Sequence, residues 1–221
     1  MDNRKIEGVK PLPRALVLSL LLVPVFVLSA VRAVSLKTGV SVYKFMRDPT
    51  MLMGANPLLG VVSDLGVLLW CASATICLFG WSILRHRLPM VRFSKFLLYS
   101  GLLTTFLLVD DFFLIHDYIL PKYFSIPTDF LFVCYGILTL SLILTFQQCI
   151  LRTEYRIAFL ALCFFGVSLI VDIFQPSIEQ RIGDWRILIE DGFKFSGIAV
   201  WFSYFFRSCF VAISGTNEST S

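Results

Sequence analysis

The sequence predicts an all-α membrane protein, a six-transmembrane-helix bundle that forms a single domain over residues 1–221. Three observations carry this prediction. Of the 221 residues, 57% are hydrophobic and only 15% are charged, and the mean hydropathy of +0.81 is far above that of soluble domains. The apolar residues gather in runs of about 20, the length that crosses a bilayer as a helix. Charged residues and prolines separate these runs.

The first predicted span covers residues 15–34 and follows a basic leader. A signal peptide cleaved near Ser29-Ala30 is the alternative interpretation, but the length of the run and the spans after it favour a retained helix. The connection to the second span is long. A short helix lying at the membrane interface is predicted there from the apolar residues Val40, Val42, Tyr43, Phe45 and Met46.

The other five spans are each bounded by prolines or charged residues. Their predicted ranges are 58–84, 96–120, 128–150, 157–175 and 187–207. Pro121 and Pro176 set the ends of the third and fifth spans, because proline cannot continue an α-helix. The loops are short, so consecutive helices are expected to pack as neighbours.

The basic residues lie in short loops and concentrate around residues 85–95. Cytoplasmic loops carry such an excess of lysine and arginine, so both termini are expected in the cytoplasm, with the protein in the plasma (inner) membrane. The net charge of +4 is not gathered on one face, and no nucleic-acid partner is expected. The expected partner is the lipid bilayer.

Ionisable residues lie inside the predicted spans, where a carboxylate costs about 2.5–3.5 kcal/mol on insertion scales. With alternating spans they all fall in the outward-facing half of the bundle, and Asp110 and Asp111 lie about 14 Å below the end of the third span. The inner half has only uncharged polar groups. The outward-facing set comprises Asp64, Asp110, Asp111, His116, Asp117, Asp172, Glu190, Asp191 and Lys194.

These residues are expected to share one site. We expect Asp64, Asp110 and Asp191 to converge on a cavity open to the outer surface, since isolated carboxylates facing lipid would be costly. Asp111, His116 and Lys194 should be near neighbours, and Gly197 should let span six approach spans two and three closely. The spacing of Glu190 and Lys194 also allows a salt bridge within one helix, which would make that pair merely self-neutralising.

Carboxylates with one imidazole form an oxygen-rich ligand set, which suits Mg²⁺, Ca²⁺ or Mn²⁺ and, with the imidazole, Zn²⁺. A metal ion with an open coordination position activates water for hydrolysis. The predicted metal ligands are Asp64, Asp110, His116 and Asp191. The predicted catalytic residues are Asp64, Asp110, Asp111, Asp191 and Lys194.

The leading functional hypothesis is a metal-assisted hydrolase or transferase that acts on a lipid-like substrate. A cation channel or carrier that uses the acidic vestibule is the alternative, and a structural or assembly subunit of a membrane complex is a second one. A proton relay through the membrane needs titratable groups on both sides of the midplane. The inner half has none among its predicted spans, which favours the enzyme.

Overall fold

The computed structural model describes residues 14–87 and 90–218, and of these the side chains of residues 14–21, 129 and 216–218 are not described. Within these ranges the secondary structure is helical, without strands. The described residues form two compact units, which are divided between Leu59 and Gly60.

The first unit contains α1 (Arg14–Thr38), α2 (Val42–Met46) and α3 (Pro49–Leu52). α2 confirms the short helix predicted in the long connection. Asp48 caps α3 by accepting hydrogen bonds from the backbone N–H groups of Thr50 at 2.8 Å and Met51 at 3.3 Å, the usual role of an aspartate at this position.

The second unit contains the remaining helices. They are α4 (Val61–Leu84), α5 (Val91–Phe113), a π-helical segment (Ile115–Phe124), α6 (Thr128–Leu151), α7 (Tyr155–Ile173), α8 (Gln175–Ile182) and α9 (Trp185–Glu218). α8 was not predicted. α9 is much longer than the predicted span 187–207.

Five helices in the described part of the chain are long and apolar enough to cross a membrane: Val61–Leu84, Val91–Phe113, Phe130–Leu151, Tyr155–Ile173 and Trp185–Gly215. The predicted all-α membrane protein is confirmed. The first predicted span lies in α1, but its side chains before Leu22 lie outside the described residues. The count of six spans therefore stays a prediction.

The predicted end of the third span at Leu120 is wrong. α5 ends at Phe113, because Leu114 adopts a left-handed conformation with φ of 52°. The π-helical segment that follows contains Pro121 and ends at Ser125, whose φ of 54° is also left-handed. Non-glycine residues rarely adopt this conformation, which costs about 1–3 kcal/mol, so other contacts must hold the segment in place.

α4, α5, α7 and α9 form the core of the second unit, and α6 packs against it through Leu142 and Phe146. α4 runs antiparallel to α5, since Trp70 meets Asp111 at one end and Cys77 meets Gly101 further along. α4 runs parallel to α9, which approaches it closely at two glycines. A Cβ on Gly66 would lie 3.3 Å from Ile198, and one on Gly80 would lie 2.9 Å from the Cys209 sulfur.

From the sequence, Gly197 was predicted to face α4 and α5. In the structure it faces α7 instead. A Cβ at this position would lie 2.7 Å from the aromatic ring of Phe165 on α7. α7 runs antiparallel to α9, with Phe164 against Phe193 near one end and Thr153 hydrogen-bonded to Tyr204 near the other. Gly197 therefore sets the distance between α7 and α9, because an aromatic ring occupies the space of its missing side chain.

We expect Gly197→Ala to lower the free energy of unfolding by about 1–2 kcal/mol, because overpacking against Phe165 outweighs the gain in helix propensity. Detergent-denaturation curves of the purified protein would measure this change. Gly192→Ala is the matched control on the same helix, since a Cβ there meets nothing within 4 Å. Equal effects of the two substitutions would contradict the close approach.

Candidate functional site

One end of the second unit, here called the acidic end, carries the ionisable residues of the predicted site. It is formed by the first turns of α4 and α9, the last turns of α5 and α7, and the π-helical segment. The alternating helix directions bring these ends together, as the sequence predicts. Because α5 ends at Phe113, Asp110 lies in the last turn of this helix, about 5 Å from its end.

Asp110 and His116 form the most buried part of the acidic end, at 4% and 6% exposure. One carboxylate oxygen of Asp110 accepts a hydrogen bond from the His116 backbone N–H at 3.0 Å. The other lies 2.5 Å from Nδ1 of the His116 ring. The chain reversal at Leu114 makes both contacts possible, since a continuous helix would carry His116 away from Asp110. Asp110 thus fixes the position of the first turn of the π-helical segment through these two contacts with His116.

The environment of His116 favours its protonated form. Burial opposes protonation, but the hydrogen bond with Asp110 and the nearby charges of Asp117 and Asp110 outweigh it, so the pKa of His116 is raised above its ordinary value. The Nε2 atom lies 3.2 Å from a carboxylate oxygen of Asp117, whose side chain is 57% exposed. Thr128 donates a hydrogen bond to the His116 carbonyl at 3.1 Å, which ties the segment to α6.

Asp111 points toward α4 and α9. It accepts a hydrogen bond from the Trp70 indole N–H at 3.0 Å and is paired with the Lys194 ammonium at 2.6 Å. Three helices therefore meet at one carboxylate. The Asp111 side chain is 15% exposed and that of Lys194 is 37% exposed, so this ion pair lies at the edge of the core.

A small cavity of about 60 Å³ lies beside the Asp111–Lys194 pair. Ser63 and Gly66 of α4 line one side, and Asp191 of α9 lines the other. The cavity is large enough for one or two water molecules. It brings together three of the predicted catalytic residues, namely Asp111, Asp191 and Lys194.

The remaining predicted residues are placed differently. Asp64 is exposed in the first turn of α4, where a carboxylate is favoured by the helix dipole. Its neighbour Ser63 lines the cavity, whereas Asp64 and Asp110 are not among the lining residues. The part that Asp64, Asp110 and Asp191 play as catalytic residues or metal ligands stays a prediction.

The predicted Glu190–Lys194 salt bridge is replaced by two other ion pairs. Glu190 pairs with Arg186, one turn earlier on α9, and Lys194 pairs with Asp111. Arg186 is 8% exposed. Its position at the start of α9, four residues before Glu190, also fits a helical pair. From the sequence, only Lys194 was considered as the partner of Glu190, whereas tertiary contact pairs Lys194 with Asp111 of α5 and leaves Arg186 for Glu190.

In the described residues, one group of side chains has ligand atoms close enough together that it could hold a metal ion. Asp110, Asp111 and His116 each offer a ligand atom, and these atoms lie within 4.8 Å of one another. Two of these residues, Asp110 and His116, are among the predicted ligands. Asp111 was predicted only as a catalytic residue, and Asp64 and Asp191 lie outside this group.

Two contacting residues were missed in the sequence. In the sequence, Trp70 looks like an ordinary apolar residue of a membrane span, but its indole N–H needs a hydrogen-bond acceptor when it is buried. Tyr135 of α6 interacts electrostatically with both Asp110 and Asp111. For Trp70 the available signal was the polar indole N–H within two turns of Asp64 on the same predicted span, whereas the sequence held no comparable signal for Tyr135.

Comparisons with known proteins assign the chain to a family. The family model described as "Domain of unknown function (DUF8692)" matches residues 16–208, which is most of the chain, so the chain belongs to this family. No curated protein matches it. No solved structure matches it either.

Proposed function

Starting from this family membership and the acidic end, we propose that the protein is a metal-assisted hydrolase or transferase that acts on a lipid-like substrate. One observation carries the proposal: ligand atoms of Asp110, Asp111 and His116 lie within 4.8 Å of one another in a chain of membrane-spanning helices. Keeping such ionisable groups at membrane depth without a bound ligand or an ion-pair partner would cost several kcal/mol of insertion free energy.

The donor set fits a divalent metal ion. Two carboxylates and an imidazole are ligands for Zn²⁺ or Mn²⁺ and, through their oxygens, for Mg²⁺ or Ca²⁺. Asp110, Asp111 and His116 would hold the ion. When bound, it would supply an activated water molecule and polarise a carbonyl or phosphoryl oxygen of the substrate.

The chain itself supplies the other functions of such a site. Lys194 and Trp70 donate to different oxygens of Asp111, and together they orient its carboxylate. Asp117, exposed beside Nε2 of His116, is the carboxylate best placed to accept a proton from water. Tyr135, near Asp110, can donate a hydrogen bond to a substrate oxygen. The roles of Asp64 and Asp191 as further ligands or catalytic residues belong to the same proposal.

Elemental analysis of the purified protein tests the proposal. We expect stoichiometric Zn or Mn in the unaltered chain, and a loss of metal affinity by at least about 10–100-fold in Asp110→Asn and His116→Gln, the range known for even second-shell changes. Asp64→Asn tests the proposed further ligand, and a loss equal to those of Asp110→Asn and His116→Gln would place Asp64 among the ligands. Asp184→Asn is the control, because Asp184 is an exposed carboxylate outside the proposed site, and an equal loss there would show that the effect is not specific to the ligands.

Absence of bound metal, together with lipid hydrolysis that a chelator does not inhibit, would refute the metal site.

Weak, exchangeable cations would instead support the alternative of a cation channel or carrier. The exposed carboxylates Asp64, Asp117 and Asp191 at the acidic end favour that alternative. The fully buried side chains of Leu84, Phe96 and Phe205 in the other half of the bundle oppose an open path, and cation flux into liposomes would decide.

We further propose that the acidic end faces away from the cytoplasm and that both termini are cytoplasmic, because the basic residues gather at the opposite end. Cysteines introduced at His86 and at Asp184 should react with a membrane-impermeant maleimide from opposite sides. The loop near His86 should be labelled only in inverted vesicles. Labelling of both positions from one side would contradict this topology.

A further inference from the structure

We infer that the groove between α5 and α6 holds one acyl chain of an anionic phospholipid, whose phosphate lies beside Arg92 and Lys95. The inference is independent of the candidate metal site, because these two residues lie in the first two turns of α5, at the end of the bundle opposite the acidic end.

The groove is a lateral cavity of about 480 Å³, within the range of about 300–1,000 Å³ typical of ligand sites. Its walls are mainly apolar. Leu102, Leu103 and Phe106 of α5 face Leu138 and Leu142 of α6 across it. The bilayer core contains no water to fill such a space, so these walls favour a hydrocarbon chain as the occupant.

Two basic side chains lie at one end of the groove. Arg92 donates hydrogen bonds to the Gln148 side chain at 2.9 Å and to the carbonyl of Thr145, a lining residue, at 3.4 Å. Lys95 lies one turn before Tyr99, which also lines the groove, and therefore shares its face of α5. The groove thus has a positively charged end.

These two charges are available to a ligand. Both side chains are exposed, and no carboxylate among the described residues forms an ion pair with Arg92 or Lys95. A guanidinium has five N–H donors, and the two contacts of Arg92 with α6 leave others free for phosphate oxygens. The hydrogen bonds to α6 also hold the guanidinium in place at the groove.

The surrounding charges favour an anionic head group. Residues 85–95 and 152–156 contain six arginines and lysines but a single acidic residue, Glu154, which pairs with Arg207. In the proposed topology this end is cytoplasmic, and the cytoplasmic leaflet contains the anionic lipids. Basic pockets between membrane helices on this side are typical sites for their head groups.

The same charges oppose a second copy of the chain as the occupant. Two copies in one membrane have the same orientation, so their basic ends would come together and repel each other. An anionic lipid instead neutralises these charges.

The length of this surface fits one lipid of one leaflet. From Arg92 to Phe106, α5 rises by about 21 Å, half the thickness of a bilayer with its head groups, which is about 40–45 Å. Tyr99 and Thr145 carry hydroxyl groups between the charges and the apolar walls, and these can donate hydrogen bonds to ester carbonyl groups. The phosphate, the ester and the acyl chain of a phospholipid therefore meet complementary groups in order.

Photo-crosslinking of the full chain in detergent micelles tests this inference, because competing lipids can be titrated there. The probe is a phosphatidylglycerol with a diazirine near the end of one acyl chain. We expect labelling of peptides that contain Phe106 or Leu138, at the end of the groove far from Arg92. Unlabelled phosphatidylglycerol should compete at a concentration at least about tenfold lower than phosphatidylcholine with the same chains.

Neutral variants test the recognition of the head group. Arg92→Gln should reduce the competitive advantage of phosphatidylglycerol about fivefold, which corresponds to about 1 kcal/mol per basic residue. Lys95→Gln should have a similar effect while the hydrogen bonds of Arg92 stay intact, and the double variant should have no advantage left. Arg85→Gln is the matched control, since Arg85 is exposed at the same end but lies over the Trp81 ring of α4. It should behave like the unaltered chain.

Filling the groove tests the binding of the acyl chain. Ser141→Trp places a large ring among the lining residues and should reduce the competed labelling at least about tenfold, because the ring occupies the space of the chain. Leu140→Trp is the control, since Leu140 is exposed on α6 but does not line the groove.

Four results would overturn the inference. Labelling without competition, spread over exposed apolar residues such as Phe159, would indicate bulk lipid only. Equal competition by phosphatidylcholine, or an undiminished advantage in the double variant, would exclude recognition of the anionic head group. Labelling confined to peptides near Tyr99 would indicate a reversed lipid. A dimer that excludes the probe, detected by native mass spectrometry, would assign the groove to a second copy.

Discussion

Lys194→Met is expected to lower the free energy of unfolding by about 2–3 kcal/mol, at or just below the lower limit of the range of about 3–5 kcal/mol for removing one partner of a buried ion pair. The substitution leaves the Asp111 carboxylate, 15% exposed, without its cation. The partial exposure of Lys194 keeps the loss below the upper limit. Detergent denaturation followed by tryptophan fluorescence would measure it, because Trp70 lies directly at Asp111.

The double variant distinguishes an ion pair from a simple packing effect. Asp111→Asn with Lys194→Met removes both charges and should recover most of the lost stability, since no orphaned charge remains. Lys122→Met is the control, because Lys122 is an exposed lysine in the neighbouring π-helical segment. Losses that simply add in the double variant would show that the two side chains do not stabilise each other.

Asp110→Ala is expected to release the π-helical segment. Both hydrogen bonds to His116 disappear, and a contact with a charged acceptor contributes about 1.5–3 kcal/mol. Amide hydrogen exchange in residues 115–124 should then accelerate by about 100-fold, which corresponds to about 3 kcal/mol. Mass spectrometry of peptides from this segment would detect the change.

Asp110→Asn and Asp117→Asn refine this result. Asparagine at position 110 keeps an acceptor for the His116 N–H, so its effect on exchange should be smaller than that of alanine. Asp117 is mostly exposed, and its substitution should change exchange little. Unchanged exchange in Asp110→Ala would mean that the segment is held by other contacts, such as that from Thr128.

The helices and the shared acidic end could be predicted because they depend on simple patterns. Apolar run length gives the spans, and alternating helix direction brings the ends near Asp64, Asp110 and Asp191 to one side. The reversal at Leu114 could not be predicted, since leucine gives no sign of a left-handed conformation. That one residue ends α5 three residues after Asp110 and brings His116 into hydrogen-bonding distance of the Asp110 carboxylate.

The ion-pair partners of the charged residues could not be predicted from the sequence either. Local spacing favoured Glu190 as the partner of Lys194, whereas the three-dimensional packing of α5 against α9 selects Asp111. Gly197 was correctly recognised as a close-contact residue, but α7 supplies the contacting ring. Pattern reasoning identifies which residues need partners, and long-range packing decides which partners they find.

The Asp111–Lys194 pair also has a consequence for how the chain is made. The two residues are 83 positions apart, so at about 5–20 residues per second the ribosome produces Lys194 about 4–17 s after Asp111. During this interval the carboxylate is in a nascent membrane helix whose cation has not been synthesised. The final helix therefore completes the charge balance of an earlier one, and a chain truncated before α9 should be removed by quality-control proteases.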